Sequence, residues 1–450
     1  MQTKLIQFAA AAGLLFAASG AHAQTFTVTN CNDTGAGSLR AVAESAPDGA
    51  VVAMDALPCN RIVLRTGPIR LRQPVLQIQG PGLDKLTVSG DGRSQVFVHA
   101  PPADAAFTSL ALRRFTVSWG RALDGEAFGG CISTTGGVSL QDMQVHHCLA
   151  RDSRSGGDAG YGGAVYGGAG VVLTHSIVHT NRADGGDGGG VYSGGPISVN
   201  NSRVSNNQAS GNGGGFVALE GAHVELSNVT SNVAGGVGGG MWVDGTGQTD
   251  RLITIMFSTI ARNRAHTAAG AYFSAANSTR LIESTVSGNV ADESQGGVVF
   301  DAGYMTQEVI NSTITANRAL APGAAGCLGS GASVRMRLRL NSSIVSANTC
   351  AGMPDDLASV DDPGATGALG NNNLLGAINL VFTGNGTVRT NSPRLGALAF
   401  NGGVTETHLP LADSPVIDKG NNSPGFATDQ RRRNFVRVKG AAADIGAVER

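Results

Sequence analysis

Between about residue 170 and residue 350 the chain repeats one short pattern of apolar and small polar positions. Seven segments carry it: 175–181, 201–207, 226–232, 257–263, 283–289, 311–317 and 342–348. Each has Ser at its second position, a β-branched residue at its fourth and Asn at its seventh. The Asn positions advance by 26, 25, 31, 26, 28 and 31 residues, and weaker copies precede them at Phe115–Val117 and Met143–Val145. A period of this size marks a solenoid. Five residues before each β-branched position stands another apolar one: Leu173, Val199, Val224, Ile255, Leu281, Val309 and Leu340. On one continuous strand an odd spacing puts two side chains on opposite faces. Both reach a core only if the backbone bends between them, and the recurring Ser marks that bend. After each Asn comes a Gly-rich turn and a second apolar stretch, as in Gly188–Tyr192, Gly213–Val217 and Gly238–Trp242. The pattern predicts three short strands per turn and a right-handed parallel β-helix of roughly ten turns or more.

The Asn column Asn181, Asn207, Asn232, Asn263, Asn289, Asn317 and Asn348 reads as structural. Equivalent residues of a solenoid stack about 4.8 Å apart, so their amides bond along the axis, and Asn also tolerates a left-handed corner. Solenoid ends need caps. Residues 37–44 predict a short helix with Ser38 as N-cap. From residue 351 the repeat fades, which predicts last turns and a C-terminal cap. The expected division is a signal peptide over 1–23, an N-terminal cap and first turns over 24–110, repeats over 111–350 and the C-terminal part over 351–450.

The leader carries Lys4, an apolar run from Leu5 to Ala18 and a small-residue cleavage site at Ala21–Ala23. That run is too short to span a membrane, and no other stretch qualifies. The protein is expected outside the cytoplasm: secreted, on the outer surface of a bacterium, or in the periplasm. Six Cys suit that compartment. Their spacing suggests Cys31–Cys59, Cys131–Cys148 and Cys327–Cys350, each within about one repeat. Gly makes up 66 of 450 residues without a triplet period, which excludes collagen. A net charge of −1 points away from a nucleic-acid partner. The capped ends predict a monomer.

Asn32–Arg40 near the expected mature start and Asp444–Glu449 at the far end, with Ser414–Asn421 and Thr428–Arg431, resemble secreted bacterial β-helix proteins with CSLREA-type N-termini and choice-of-anchor Q domains. Residues 162–165 and the Asn corners also look like polymorphic outer-membrane protein repeats. The resemblance implies an extracytoplasmic β-helix similar to pectate-lyase-like folds. It transfers no catalytic residue.

Four constellations carry candidate chemistry. Tyr166, Tyr192, Trp242 and Tyr272, with Val217 and Val299 at matching turns, form an aromatic column suited to a polysaccharide if it faces outward. Asp244 and Asp301 sit two residues after Trp242 and Val299, two turns apart, at roughly the 9–10 Å of an inverting glycosidase pair. Glu220 and Asp250 lie nearby, and no Arg or Lys is expected in line with the two acids. His146 and His179 occupy the same repeat position, with His147 and His175 close by, as a base or metal ligands. Asp355, Asp356, Asp361 and Asp362, and separately Asp184 and Asp187, suggest a calcium site; no other cofactor is expected. Arg431–Arg433 is expected to be solvated. The function expected is a non-enzymatic secreted or surface module contacting glycans or cell surfaces, adhesin-like or structural. The competing reading is a polysaccharide lyase or glycoside hydrolase working along the same face.

Overall fold

The computed structural model describes residues 23–123, 125, 127–152, 160–245, 252–274, 278–301, 306–324, 326–361 and 367–450. The leader up to residue 22, Asp250 and Asp362 lie outside them. One turn shows how the repeat folds. Gly170–Thr174, Ile177–His179, Arg182–Asp184 and Val191–Ser193 are successive strands, and Val191–Ser193 pairs in parallel with Val165–Gly167 of the turn before. Repetition builds four sheets in that order, called sheets 1 to 4, with 14, 13, 10 and 12 strands. The result is a right-handed parallel β-helix of about 12 turns.

From Arg121 to Cys350 each turn therefore has four strands where the sequence suggested three, while the first turns keep three. The extra one, in sheet 3, directly follows the Asn and buries a single small side chain per turn, among them Ala183, Ala209, Ala234, Ala265, Ala291 and Ala319. One inward Ala in a strand of two to four residues leaves no apolar alternation to read.

The core is one continuous cluster from Val28 to Leu375, and it includes the expected Leu173, Val199, Val224, Ile255, Leu281, Val309 and Leu340 column. The bends fall at the recurring Ser. The residue before each Ser is left-handed, as in His175 (φ 49°), Glu283 (φ 45°) and Asn311 (φ 46°). At the second corner the left-handed residue is the one before the Asn, for example Thr180 (φ 56°) and Arg262 (φ 56°), and not the Asn itself. The Asn instead ties the corner down. Each Asn Nδ2 donates to the Oδ1 of the Asn one turn on, from Asn181 to Asn348, and to a backbone carbonyl of the turn behind. Each Oδ1 from Asn207 onward also accepts the backbone N–H of the preceding Asn. The ladder opens at Cys148, whose N–H donates to Asn181, and closes on Asp356, which accepts both the N–H and the Nδ2 of Asn348 at 2.8 Å. A parallel ladder links the Ser column, each N–H donating to the next Ser Oγ and the last to Asn373.

The N-terminal end is closed by the helix Leu39–Ser45, which buries Leu39 and Ala43 and is capped by Ser38 accepting from the Ala41 N–H at 3.2 Å. Strand pairing stops at Val388–Arg389. From there the chain turns back along the outer face of sheet 2, placing Glu406, Gln430 and Ala447 against Thr259, Thr285 and Thr313. Its fastening is ionic and buried. Arg437, fully enclosed, meets Glu283 at 2.9 Å and donates to the Asp444 and Gly446 carbonyls, while Glu449 accepts from the Asp444 and Lys439 N–H groups. Arg431 is buried against Asp429 and not solvated as expected; of the run, only Arg433 is exposed. Two stretches quoted for the family resemblance, Thr428–Arg431 and Asp444–Glu449, thus form the clamp. Three disulfides, Cys31–Cys59, Cys131–Cys148 and Cys327–Cys350, match the suggested pairing.

Candidate functional site

Sheet 4 settles which way its side chains point. In Val165–Gly167, Val191–Ser193, Met241–Asp244 and Ala271–Ser274 the first residue is buried and the second only half-buried. Tyr166, Tyr192, Trp242 and Tyr272 therefore face outward. They stand in one register, Tyr166 opposite Tyr192, then Val217, Trp242, Tyr272 and Val299. The rings of Tyr166 and Tyr192 are parallel within 12° at 5.6 Å. Two further aromatics lengthen the patch: Phe128 lies 4.9 Å from Tyr166, and Tyr161 lies 4.7 Å from Tyr192. Both stand directly before a Gly-Gly pair, at 129–130 and 162–163, so an aligned aromatic-Gly-Gly was the signal to follow. Burial raises the Tyr166 hydroxyl. Burial, with Tyr161 and Asp187 nearby, pushes Tyr192 up to about 12. At neutral pH these hydroxyls are protonated donors.

Beside the aromatic column runs a polar one. Asp244, Ser274 and Asp301 are in register. The pairing of Phe300 with Val334 then brings Arg335 into line with Asp301, contrary to the expectation that no cation aligns there. Arg335 bonds Asp301 and Asp361, and the Tyr272 hydroxyl donates to Asp301. Burial and the Asp301 carboxylate keep that hydroxyl protonated, and the two acids raise Arg335. Arg335 was legible: the alignment Gly331-Ala332-Ser333-Val334 simply runs one turn past Val299. Asp244 and Asp301 stand two turns apart, roughly 9–10 Å. Asp301 is thus held by a hydroxyl and a guanidinium, an arrangement that orients a polar ligand as readily as it supports chemistry. Glu220 lies just past the strand Phe216–Ala218 of the same sheet.

The His residues lie on sheet 2. His146 and His179 are in register, with rings stacked at 5.1 Å. His146 Nδ1 meets His147 Nδ1 at 2.6 Å, and His179 meets Gln144 and Thr180. His175 sits exposed at the preceding bend. Burial, with His179 and His147 adjacent, lowers His146 to about 4, and burial lowers His179 as well. Among the described residues the one cluster with three ligand atoms within 4.8 Å of each other is Cys327, Cys350 and Asp355, and its two sulfurs are joined as a disulfide. Of the C-terminal acids, the three described ones are each engaged separately. Asp355 accepts from the Gly329 and Ser330 N–H groups, Asp356 ends the ladder, and Asp361 pairs with Arg335. Asp184 is paired with Arg151 and Arg182, and Asp187 accepts the Asn212 N–H.

No protein-family model matches the chain, and no curated protein is found similar to it. Among solved structures it is similar to the crystal structure of pectate lyase Pel9A, at 13% identity and a TM-score of 0.39, over 95% of this chain and 98% of that one. A likeness at that level says nothing of activity. Among the described residues no helix is long and apolar enough to cross a membrane.

Proposed function

We propose that the chain is an extracytoplasmic β-helix module that binds an extended polysaccharide along sheet 4, in an adhesin-like or structural role. The observation that carries this reading is the outward column of Tyr166, Tyr192, Trp242 and Tyr272, in register from turn to turn. Apolar ring surface with a polar edge suits pyranose rings, and the neighbouring Asp244, Ser274, Asp301 and Arg335 supply hydroxyl-binding groups. Three disulfides suit an oxidising compartment, and the leader-like N-terminus and the terminal motifs of the CSLREA and choice-of-anchor Q type support export.

The test is affinity electrophoresis of the protein from Gln24 through gels holding plant or bacterial polysaccharides, with reducing-end release measured in parallel. Retardation by one polymer, weakened about three- to tenfold by Trp242→Ala or Tyr192→Ala, is expected from the ~0.5–1.5 kcal/mol of an aromatic contact. Retardation that both variants leave unchanged contradicts it. Release of new chain ends that Asp301→Asn abolishes would favour the enzyme reading instead.

A further inference from the structure

The C-terminal segment covers only part of sheet 2. Where it lies, most outward positions are small and buried, among them Thr259, Thr285, Thr313, Ser287, Thr315 and Ser346, while Ile344 packs against Val416 and Ile445 of the segment. The turns it leaves bare carry small groups at the same register, Thr87, Ser89, Thr116 and Ser118, and beside them larger ones, including Arg61, Gln144, His146, His179 and Arg203. Between the larger groups lies an open depression of about 290 Å³ lined by Asn60, Arg61, Thr87, Ser118, Trp119 and His146.

Trp119 stands at the corner after sheet 2 and is 49% exposed. One face is spent on His147, whose ring lies 4.6 Å away and within 18° of parallel. The preceding turn places Gly90 at the same register. Arg61 is the only charged residue of the lining. Its Nη2 donates to Ser89 Oγ at 3.1 Å, which aims the guanidinium. No carboxylate lines the cavity; Asp91 in the adjoining turn is paired with Arg93 at 3.4 Å. His146 is uncharged at neutral pH, its proton affinity lowered by burial and by the other two His residues. A half-exposed indole, one fixed cation and four side chains with neutral hydrogen-bonding groups describe a site for a ring that has an apolar face, several hydroxyls and one negative charge. The depression is small and open, which suits contact with the face of one sugar unit better than with a length of chain.

We propose that the bare stretch of sheet 2 holds a second binding site, in which Trp119 stacks on and Arg61 pairs with the carboxylate of a single uronic-acid unit. This site is on a different sheet from the aromatic column and does not rest on the reading of sheet 4.

The chain has two Trp residues, Trp119 and Trp242, so Trp242→Phe leaves Trp119 as the sole reporter. The Trp242→Phe protein is titrated with free galacturonate, digalacturonate and digalactose while Trp emission is followed. The expected result is a saturable change with the two acidic sugars, and binding about tenfold or more weaker for digalactose and for the acidic sugars with Arg61→Gln, from the lost charge-assisted bond. Free monosaccharide binding as well as the dimer places the whole ligand in the cavity; response to the dimer alone places a chain end there. Arg61 is exposed, so its variant should keep the wild-type circular dichroism. Calorimetry with Trp119→Ala gives an independent reading and should lose the acidic-sugar heat while sheet 4 gel retardation persists. No saturable emission change, or binding undiminished in both Arg61→Gln and Trp119→Ala, overturns the proposal. Binding that follows Tyr192 instead also overturns it and leaves the sheet 4 reading standing.

Discussion

Replacing Asn263 by Ala removes one link from the middle of the ladder, and the loss can be counted. The side chain makes four hydrogen bonds. It accepts from the Asn232 N–H at 2.9 Å and Nδ2 at 3.0 Å, and donates to the Val229 carbonyl and Asn289 Oδ1, both at 3.0 Å. At about 1 kcal/mol net for each, the loss is about 4 kcal/mol. The enclosed Asn232 N–H is left without that acceptor, which adds about 1–3 kcal/mol if no water replaces it. The expected destabilisation is about 4–7 kcal/mol, a large part of the stability of an ordinary domain. Asn181 provides the internal scale. It makes three bonds, with the Cys148 N–H, the Val145 carbonyl and Asn207 Oδ1, so Asn181→Ala should lose about 3 kcal/mol. Urea unfolding followed by circular dichroism reads both values, and amide exchange reads the site, since Asn232 should lose protection first. Solenoids respond through nearest neighbours, so protection near the N-terminal helix should persist. A loss below about 1 kcal/mol for Asn263→Ala, with the Asn232 amide still protected, would mean the column only fills space.

Arg437→Met should leave Glu283 and Glu449 enclosed without their cation, costing at most about 3–5 kcal/mol because burial already favours their protonated forms, and should make the region after residue 390 sensitive to limited proteolysis; full protease resistance would contradict the clamp. Gly446→Ala should loosen the same segment, because Gly446 has φ +106° and a Cβ there would come within 2.8 Å of Ile344 and Thr313; an unchanged melting temperature argues against that docking. Burial lowers His99, His146, His179 and His408 from the ordinary 6.5, so the folded state takes up protons less readily than the unfolded chain. Their stabilising contribution is complete above pH 6.5 and fades as pH falls toward 4, while Glu283, whose carboxyl burial pushes up to about 8, contributes in the opposite sense; lowering the pH through that window should therefore cost the His146→Gln protein less melting temperature than the wild type. A slope identical in the variant refutes the assignment to His146.

The repeat was readable because it obeys simple periodicities. The Ser and Asn columns recur with an apolar position between them, and each is fixed by a bond that only that side chain makes at that corner. The disulfides were readable because each spans about one turn. Sheet 3 was hidden because its inward residue is a lone Ala. Arg335 was missed for want of one more aligned turn, and Phe128 and Tyr161 because they stand before their strands. The path of the last sixty residues leaves no periodic trace. It depends on Arg437 reaching Glu283, some 150 positions away, and on a row of Thr and Ser whose smallness has meaning only once something lies over them. The orientation of the aromatic column could not be read at all, since Val165 and Tyr166, or Met241 and Trp242, are both suited to a core.

Hydroxyl-radical footprinting of the protein with and without a retarding polysaccharide tests the central claim most directly, because it reads every exposed aromatic at once. The account predicts protection of Tyr166, Tyr192, Trp242 and Tyr272 together, with Phe400 in the C-terminal segment still oxidised. Unchanged oxidation along that column, with the polysaccharide bound, would contradict it.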